Sequence, residues 1–289
     1  MRDLFDFDTT PDRYAVMGNP ISHSKSPQIH TEFARQTRQR LEYTAIQVDD
    51  GGFDQAVGNF QGNGGKGLNV TVPFKQEAWR LVNKHSPDAA RAGAVNTIVL
   101  QADGTLYGDN TDGIGLIRDI SVNHGIQIRA KRLLLMGAGG AARGVLQPLM
   151  AAGPAQLVIV NRTADKARAL AADFNHQATV SGSHVPVITG CGYPELQNQQ
   201  FDIIINATAA SLQGDLPPLP DNILAPRACC YDMMYGREPT VFLRWASEHE
   251  AGQCIDGLGM LVEQAAAAFE LWRGIRPETA PVITLLRQQ

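Results

Sequence analysis

A chain of 289 residues, 44% apolar and 19% charged, is globular and long enough for two domains of ordinary size. Its 25 basic and 29 acidic residues leave a net charge of -4. No chain-wide positive field therefore draws it to nucleic acid or an anionic membrane, and any anion it binds must be held locally. The opening MRDLFDFDTTPDR is too acidic and too broken in its apolar pattern for a secretory or transit peptide, and no apolar run nears the roughly 20 residues of a membrane span. The expectation is a soluble, cytoplasmic protein. Cys191, Cys229, Cys230 and Cys254 lack CxxC spacing, which suits neither a disulfide framework nor a zinc site, so no metal is expected and the thiols read as small buried hydrophobes.

In chain order, YAVMG (14–18), YTAIQV (43–48), GLNVT (67–71) and NTIVL (96–100) read as strands, with helices starting near Pro27, Phe53 and Lys75. A second series follows: RLLLMG (132–137), QLVIVN (156–161), VPVIT (185–189), FDIIINAT (201–208), ACCYDM (228–233) and QCID (253–256), again separated by helical patterns. Alternation of this kind predicts mostly parallel sheets covered on both faces. The chain thus divides into two α/β domains joined near DNTDGIG (109–115). A strong, Ala-rich helix, GMLVEQAAAAFELW (259–272), must pack tightly, either closing the second domain or crossing back onto the first.

RLLLMG runs into GAGGAARG, which sets Gly137, Ala138, Gly139, Gly140 and Ala141 at a strand-to-helix turn with Ala142 completing a GxGxxA pattern. Small residues are required where a turn is tight, the backbone approaches a pyrophosphate, and the following helix packs close. The next strand ends in Asn161, Arg162 and Thr163, with Lys166 one turn on and no carboxylate. An acidic residue there would bind the ribose 2′-hydroxyl of NAD and repel a 2′-phosphate. Arg, Thr and Lys instead offer charge-assisted hydrogen bonds to that phosphate, so NADP is the expected cofactor. The competing use of Arg162 and Lys166 as a solvated helix start is disfavoured, since cations at a helix N-terminus oppose its dipole.

Polar residues collect at the remaining strand ends: GNPISHSKSPQIH after the first, NVTVPFKQ after the third, AVNTI at the fourth, then YGDNTDGIG. Ligands of open α/β sheets sit beyond the carboxyl ends of strands, so Ser22, Ser24, Asn69, Thr71, Lys75 and Asp112 are expected to converge on one crevice facing the nucleotide domain. Taken in order, GNPISHSKSP, NVTVPFK, AVNT, GDNTDGIG, GAGGAAR, NRT, NAT, YDMMY and DGLGMLVEQAA resemble the shikimate dehydrogenase family over nearly the whole chain. The resemblance implies reversible NADPH-dependent reduction of 3-dehydroshikimate to shikimate, a step of aromatic amino-acid biosynthesis. It implies an N-terminal, mostly parallel substrate domain (1–111 plus 258–289) and a Rossmann-type NADP-binding domain (112–257), with C-terminal helices returning to the substrate domain.

By the same resemblance Lys75 and Asp112 are the catalytic pair, and Ser22, Ser24 and Tyr235 donate hydroxyls to the substrate carboxylate. Asn69, Thr71, Asn96 and Gln264 surround the carboxylate and ring hydroxyls. The glycine turn, Asn161, Arg162, Thr163 and Lys166 hold the cofactor, with Thr208, Met233 and Gly257 near the nicotinamide. Lys166 stands where many members carry arginine, which implies a less planar phosphate contact. The partner is a small molecule, with neither nucleic acid nor membrane, and the protein is a monomer or homodimer.

The chemistry agrees with these residues. Hydride arriving at a carbonyl carbon leaves an alkoxide, which needs a proton donor and a positive charge, and one lysine supplies both. Pro73 and Phe74 are expected to fix the turn that aims Lys75. Other uses compete at several positions: Ser22 and Ser24 as caps of the helix near Pro27, Gln264 as a buried amide satisfied by its neighbours, and Tyr235 as a packing aromatic. His23 and His30 read as structural. Two other functions compete, a broader quinate/shikimate dehydrogenase that also uses NAD, and a non-catalytic NADP-binding sensor. The absence of an acidic residue near Asn161 argues against the first, and the presence together of Lys75 and Asp112 against the second.

Overall fold

The computed structural model describes residues 10–180, 187–208, 210 and 214–288. Contacts divide the chain into two compact units. The first comprises the described residues up to Ala90, Ala94–Asn110 and Ala265–Glu278; the second comprises Arg91–Gly93, Thr111–Gln264 and the chain from Thr279 on.

The first unit contains β1 (Asp12–Gly18), α1 (Ser26–Thr37), β2 (Leu41–Gln47), α2 (Phe53–Gly62), β3 (Gly65–Val70), α3 (Lys75–Leu81), β4 (Lys84–His85), most of α4 (Pro87–Ala92), β5 (Thr97–Leu100) and β6 (Leu106–Asp109). Among the described residues its strands form one sheet in the order β2-β1-β3-β5-β6-β4. Pairing of β1 with β2, β1 with β3 and β4 with β6 is parallel, whereas β5 runs antiparallel to both β3 and β6. The NTIVL run thus forms a strand as expected but in the reversed sense. The two-residue β4 and the short β6 lie outside the predicted strands, because neither is long enough to show a period.

Phe53, Phe60, Phe74 and Val82 on α2, α3 and their flanks bury against Ala15, Met17, Leu68, Val70 and Ile98 of the sheet. Indole and strand meet so closely at one point that only glycine fits: a Cβ on Gly67 of β3 would overlap Trp272 of the returning C-terminal segment, whose Nε1 donates to the Ile98 carbonyl at 3.0 Å. Arg273, next along, joins Asp12, Tyr14 and Gln39.

The second unit contains α5 (Asp112–Arg118), a π-helical turn (Asp119–Asn123), β7 (Arg132–Met136), α6 (Gly140–Ala151), β8 (Gln156–Val160), α7 (Ala164–Val180), β9 (Ile188–Cys191), a 3-10 turn (Tyr193–Leu196), β10 (Phe201–Asn206), β11 (Leu224–Asp232), α8 (Val241–Glu248), β12 (Gln253–Asp256), the first turns of α9 (Leu258–Arg273), and α10 (Ala280–Arg287). Its sheet runs β12-β11-β10-β7-β8-β9, with every pairing parallel. That is the doubly wound order of a dinucleotide fold, in which the chain reverses direction at the first strand. Val185 and Pro186 of the predicted VPVIT strand lie outside the described residues; β9 begins at Ile188.

The apolar runs foreseen as strands are continuous because both faces are covered: Leu133, Leu135, Ile203 and Ile205 pack on one side, Leu134, Met136, Ile204 and Cys230 on the other. Cys191, Cys229 and Cys230 are buried, and burial pushes the Cys229 thiol up to about 12; Cys254 is exposed, against expectation. Residues 265–278 return to the first unit, whereas α10 belongs with the second. No helix of the described residues is long and apolar enough to cross a membrane.

Candidate active site

In the second unit, strand register sets the geometry. Val160, Met136, Asn206, Asp232 and Asp256 are register partners across β8, β7, β10, β11 and β12, so these strands end level. Residues one or two places beyond them therefore form a single row at the carboxyl edge: Asn161, Gly137, Thr208, Met233 and Gly257. All five were expected at the cofactor from sequence.

Gly137 adopts φ +106°, and a side chain there would press on Thr208 Cγ2 at 3.1 Å and the Ala207 carbonyl at 3.2 Å. Gly257 must be glycine for the same kind of reason, since a Cβ would overlap the Met233 carbonyl oxygen. Asn206, fully buried, ties the row together: its Oδ1 accepts from the Thr208 amide (3.0 Å) and hydroxyl (2.7 Å), and its Nδ2 donates to Asp232 Oδ1 (3.2 Å). Asp232 in turn accepts from the Met234 amide (3.0 Å) and from Thr240 Oγ1 (2.6 Å), the residue that caps α8.

At the start of α6 the N-cap is Gly139, in extended conformation with no side chain capping the helix. A Cβ on Gly139 or Gly140 would meet nothing within 4 Å, so the helix N-terminus opens onto empty space lined by backbone amides. Across the edge, Arg162, Thr163 and Lys166 are exposed, and Asn161 Nδ2 donates to the Thr163 carbonyl at 3.0 Å, which shapes the turn. An uncapped glycine-led N-terminus beside two exposed cations fits a dinucleotide bearing an extra phosphate.

In the first unit, parallel pairing brings the ends of β1 and β3 together. The Asn19 amide donates to the Val72 carbonyl (3.0 Å) and the Thr71 amide to the Met17 carbonyl (2.9 Å). The serine loop after β1 and the lysine turn after β3 are consequently neighbours. Because β5 is antiparallel and β6 returns, Asn96 at the start of β5 and Asp109 at the end of β6 reach the same edge: Thr97 faces both Asn69 and Asp109 in register.

Phe74 anchors the lysine turn. It is fully buried, stacks on Phe53 at 5.2 Å and 13°, and donates its amide hydrogen to the Thr71 carbonyl (3.0 Å). Lys75 follows as the first residue of α3, half-buried, its carbonyl held by the Val95 amide at 2.9 Å. Ser22 is exposed; Ser24 Oγ accepts from the Ser26 amide at 3.3 Å, so it partly supports the start of α1 while remaining accessible. Asn69 and Asn96 are buried, at 6% and 3% exposure.

The remaining predicted residues lie in the second unit. Asp112 opens α5. Gln264 accepts from the Thr111 hydroxyl at 3.3 Å and donates to the Leu261 carbonyl at 2.9 Å. Burial, with Asp256 adding to it, raises the Tyr235 phenol above its ordinary value, so it stays a donor.

Three buried groups escaped the sequence reading. Tyr43 donates to Asn69 at 2.7 Å. Asp119 accepts from Tyr231 (2.6 Å) and Asn123 (2.8 Å). Glu263, fully buried, meets Arg118 (3.0 Å), Asn123 (3.3 Å) and Thr279 (2.6 Å). Nothing local marks them, since each partner is 16 to 145 positions away except the Asp119–Asn123 pair.

A doubly wound nucleotide-binding unit with a glycine turn and phosphate-suited cations, accompanied by a second sheet edged with hydroxyls, amides and one lysine, defines the class of dinucleotide-dependent oxidoreductases. Three family models match in succession: the shikimate dehydrogenase substrate binding domain over residues 16–98, shikimate/quinate 5-dehydrogenase over 121–213, and the shikimate 5′-dehydrogenase C-terminal domain over 257–287. A shikimate dehydrogenase (NADP(+)) of Nitrosococcus oceani is 57% identical over 279 residues, covering 96% of each chain. Among solved structures, an Ael1 enzyme from Pseudomonas putida is 46% identical with TM-score 0.87, over 95% of this chain and 98% of that one. A shikimate 5-dehydrogenase from Thermus thermophilus, solved in complex with NADP(H) and shikimate, is 29% identical with TM-score 0.83, over 96% and 99%. The chain belongs to the shikimate dehydrogenase family.

Proposed function

We propose that this chain catalyses the reversible NADPH-dependent reduction of 3-dehydroshikimate to shikimate. The observation that carries this reading is the level row of strand ends, which gathers Gly137, Asn161, Thr208, Met233 and Gly257 at one edge beside exposed Arg162 and Lys166. Relatives that match over almost the entire length support it.

NADPH, when bound, supplies the hydride to the carbonyl carbon. Lys75 delivers the proton to the oxygen, and its charge offsets the alkoxide as it forms. Asp112 is the second member of the catalytic pair. Ser22, Ser24 and Tyr235 donate to the substrate carboxylate; Thr71, Asn96 and Gln264 receive the ring hydroxyls, with Asn69 beside them. Gly137 to Ala141 hold the pyrophosphate on the start of α6, and Arg162, Thr163, Lys166 and the turn set by Asn161 select the 2′-phosphate. On this reading residues 1–111 with 258–289 form the substrate part and 112–257 the cofactor part. On this reading the protein works in the cytoplasm on a small molecule, as a monomer or homodimer.

Initial rates of cofactor reduction, crossing shikimate and quinate with NADP and NAD, test the proposal. Fast turnover confined to shikimate with NADP is expected. Comparable rates with quinate or NAD would move the assignment to the broader dehydrogenase, and no turnover with any pair would overturn it. Lys75→Ala is expected to lose at least about a hundredfold in kcat, the contribution of a positioned proton donor; near-normal turnover in this variant removes Lys75 from the mechanism.

A further inference from the structure

β1 ends on a glycine, and the reason lies on the neighbouring strand. A Cβ on Gly18 would overlap Thr71 Cγ2 and would press on Ile21 Cδ1 at 3.1 Å and on the Val72 carbonyl oxygen at 3.2 Å. Gly18 and Thr71 each lie one place beyond Met17 and Val70, register partners of parallel β1 and β3, so their side-chain positions share one side of the sheet. The Thr71 methyl therefore fills the volume in which any other residue at position 18 would hold its Cβ.

Backbone hydrogen bonds fix the two strands at this separation. The Thr71 amide donates to the Met17 carbonyl (2.9 Å) and the Asn19 amide to the Val72 carbonyl (3.0 Å), one on each side of the glycine; on its other edge the Val48 amide donates to the Gly18 carbonyl (3.3 Å). Moving either backbone to admit a side chain breaks these bonds, so rotation of Thr71 about χ1 is the cheaper relief. Ile21 Cδ1, the far end of a flexible side chain, gives way more easily still.

Threonine carries its methyl and its hydroxyl on one chiral carbon, so the seat of Cγ2 fixes the place of Oγ1. Thr71 is half-buried, and among the described residues no hydrogen bond engages its hydroxyl. Packing of the methyl thus sets the direction of the hydroxyl. We infer that Gly18 is a positioning residue for the substrate site: the space it leaves seats the Thr71 methyl and so aims the Thr71 hydroxyl at a ring hydroxyl of the substrate. The inference rests on the proposed substrate site, and adds to it a residue with no functional group of its own.

Calorimetric titration of shikimate, with steady-state kinetics and urea unfolding of the same proteins, tests this in Gly18→Ala, Thr71→Val, Thr71→Ser and Gly18→Ala/Thr71→Ser. Valine keeps the methyl over Gly18 and deletes the hydroxyl, so Thr71→Val should weaken shikimate binding about 10- to 20-fold, the effect of one lost hydrogen bond, with the NADP KM unchanged. Gly18→Ala keeps the hydroxyl but turns it away, and should lose as much. Serine keeps the hydroxyl and drops the methyl; released among three staggered positions, Thr71→Ser should bind about threefold more weakly than the parent. In the double variant the methyl that alanine would displace is gone, so it should bind within about twofold of Thr71→Ser and more tightly than Gly18→Ala.

Parental shikimate affinity in Gly18→Ala overturns the inference and, with a lowered urea midpoint, makes the glycine a matter of stability alone. A double variant as weak as Gly18→Ala also overturns it, as does a rise in the NADP KM equal to the loss of shikimate affinity. Should Gly18→Ala fail to fold, the Thr71 variants decide: parental affinity in either Thr71→Val or Thr71→Ser overturns the inference. Turnover of shikimate by the unaltered enzyme is the control: its absence would sink the proposed function, whereas a normal parent with indifferent variants would sink only the role of Gly18.

Discussion

Replacing His30 with phenylalanine isolates the cost of carrying an imidazole in an aromatic box. His30 is fully buried against Tyr43, Phe33, Phe269 and Trp272, and among the described residues neither ring nitrogen reaches a hydrogen-bond partner. Burial pushes its pKa from the ordinary 6.5 down to about 3, with the nearby Asn69 offsetting only part of the effect. The ring is thus neutral in the folded protein throughout the working range. In the unfolded chain it takes up a proton below pH 6.5, so its contribution to stability is intact above that value and is lost as the pH falls toward 3.

Each pH unit below 6.5 costs about 1.4 kcal/mol, or about 2 kcal/mol at pH 5 relative to pH 8. Urea unfolding of the parent and His30→Phe at pH 8 and pH 5 reads this directly, since a packing change independent of pH cancels in the comparison. The parent should lose about 2 kcal/mol more than the variant on acidification. Equal losses would refute the assignment of His30 as a buried neutral ring.

On the proposed reading Arg162 makes a charge-assisted contact to the 2′-phosphate, so Arg162→Ala should raise the NADP KM about 10- to 100-fold while leaving the NAD KM nearly unchanged; steady-state kinetics with both cofactors decides it. Gly259→Ala would drive a Cβ into the Asp119 carboxylate, which already accepts from Tyr231 at 2.6 Å. A loss of about 2 kcal/mol or more in unfolding free energy is expected, because neither backbone nor a buried carboxylate can give way cheaply. Thr240→Ala deletes the cap of α8 and the donor to fully buried Asp232, so a loss of about 1–2 kcal/mol should appear by denaturant titration.

Most of the second unit was legible because its strands are covered on both faces. Runs such as LLLM, LVIV and IIIN announce burial without needing a period, and β12 matches the predicted QCID from end to end. The glycine turn was legible for a different reason: close backbone approach excludes every other residue. The first sheet was harder. NTIVL identifies a strand but not its sense, and only the β3–β5–β6 pairing reveals that β5 runs backwards.

The lysine turn could be read from NVTVPFK, while the stack of Phe74 on Phe53 that holds it could not. The least legible parts are the buried polar groups. Tyr43 and Asp119 look like surface residues until their partners at Asn69 and Tyr231 are known, 26 and 112 positions away. Sequence patterning reports water against oil; it carries no information on which distant donor satisfies a buried acceptor.

The indole of Trp272 seated over Gly67 has a consequence for the order in which the protein is made. The first unit draws on both ends of the chain, and the ring that covers its third strand leaves the ribosome some two hundred residues after that strand. Domains fold as units during synthesis, ordinarily in the order of emergence. Here the nested second unit has its whole sheet, through Asp256, before the first receives its cover, so the unit begun first is finished last. Until Ala265–Glu278 emerges, the strand that leads into the lysine turn waits without the indole that covers Gly67. A chain truncated after Gln264 should therefore be cut by protease within residues 10–110 and spared within the strands of the second sheet, and restoring the final segment should abolish the difference.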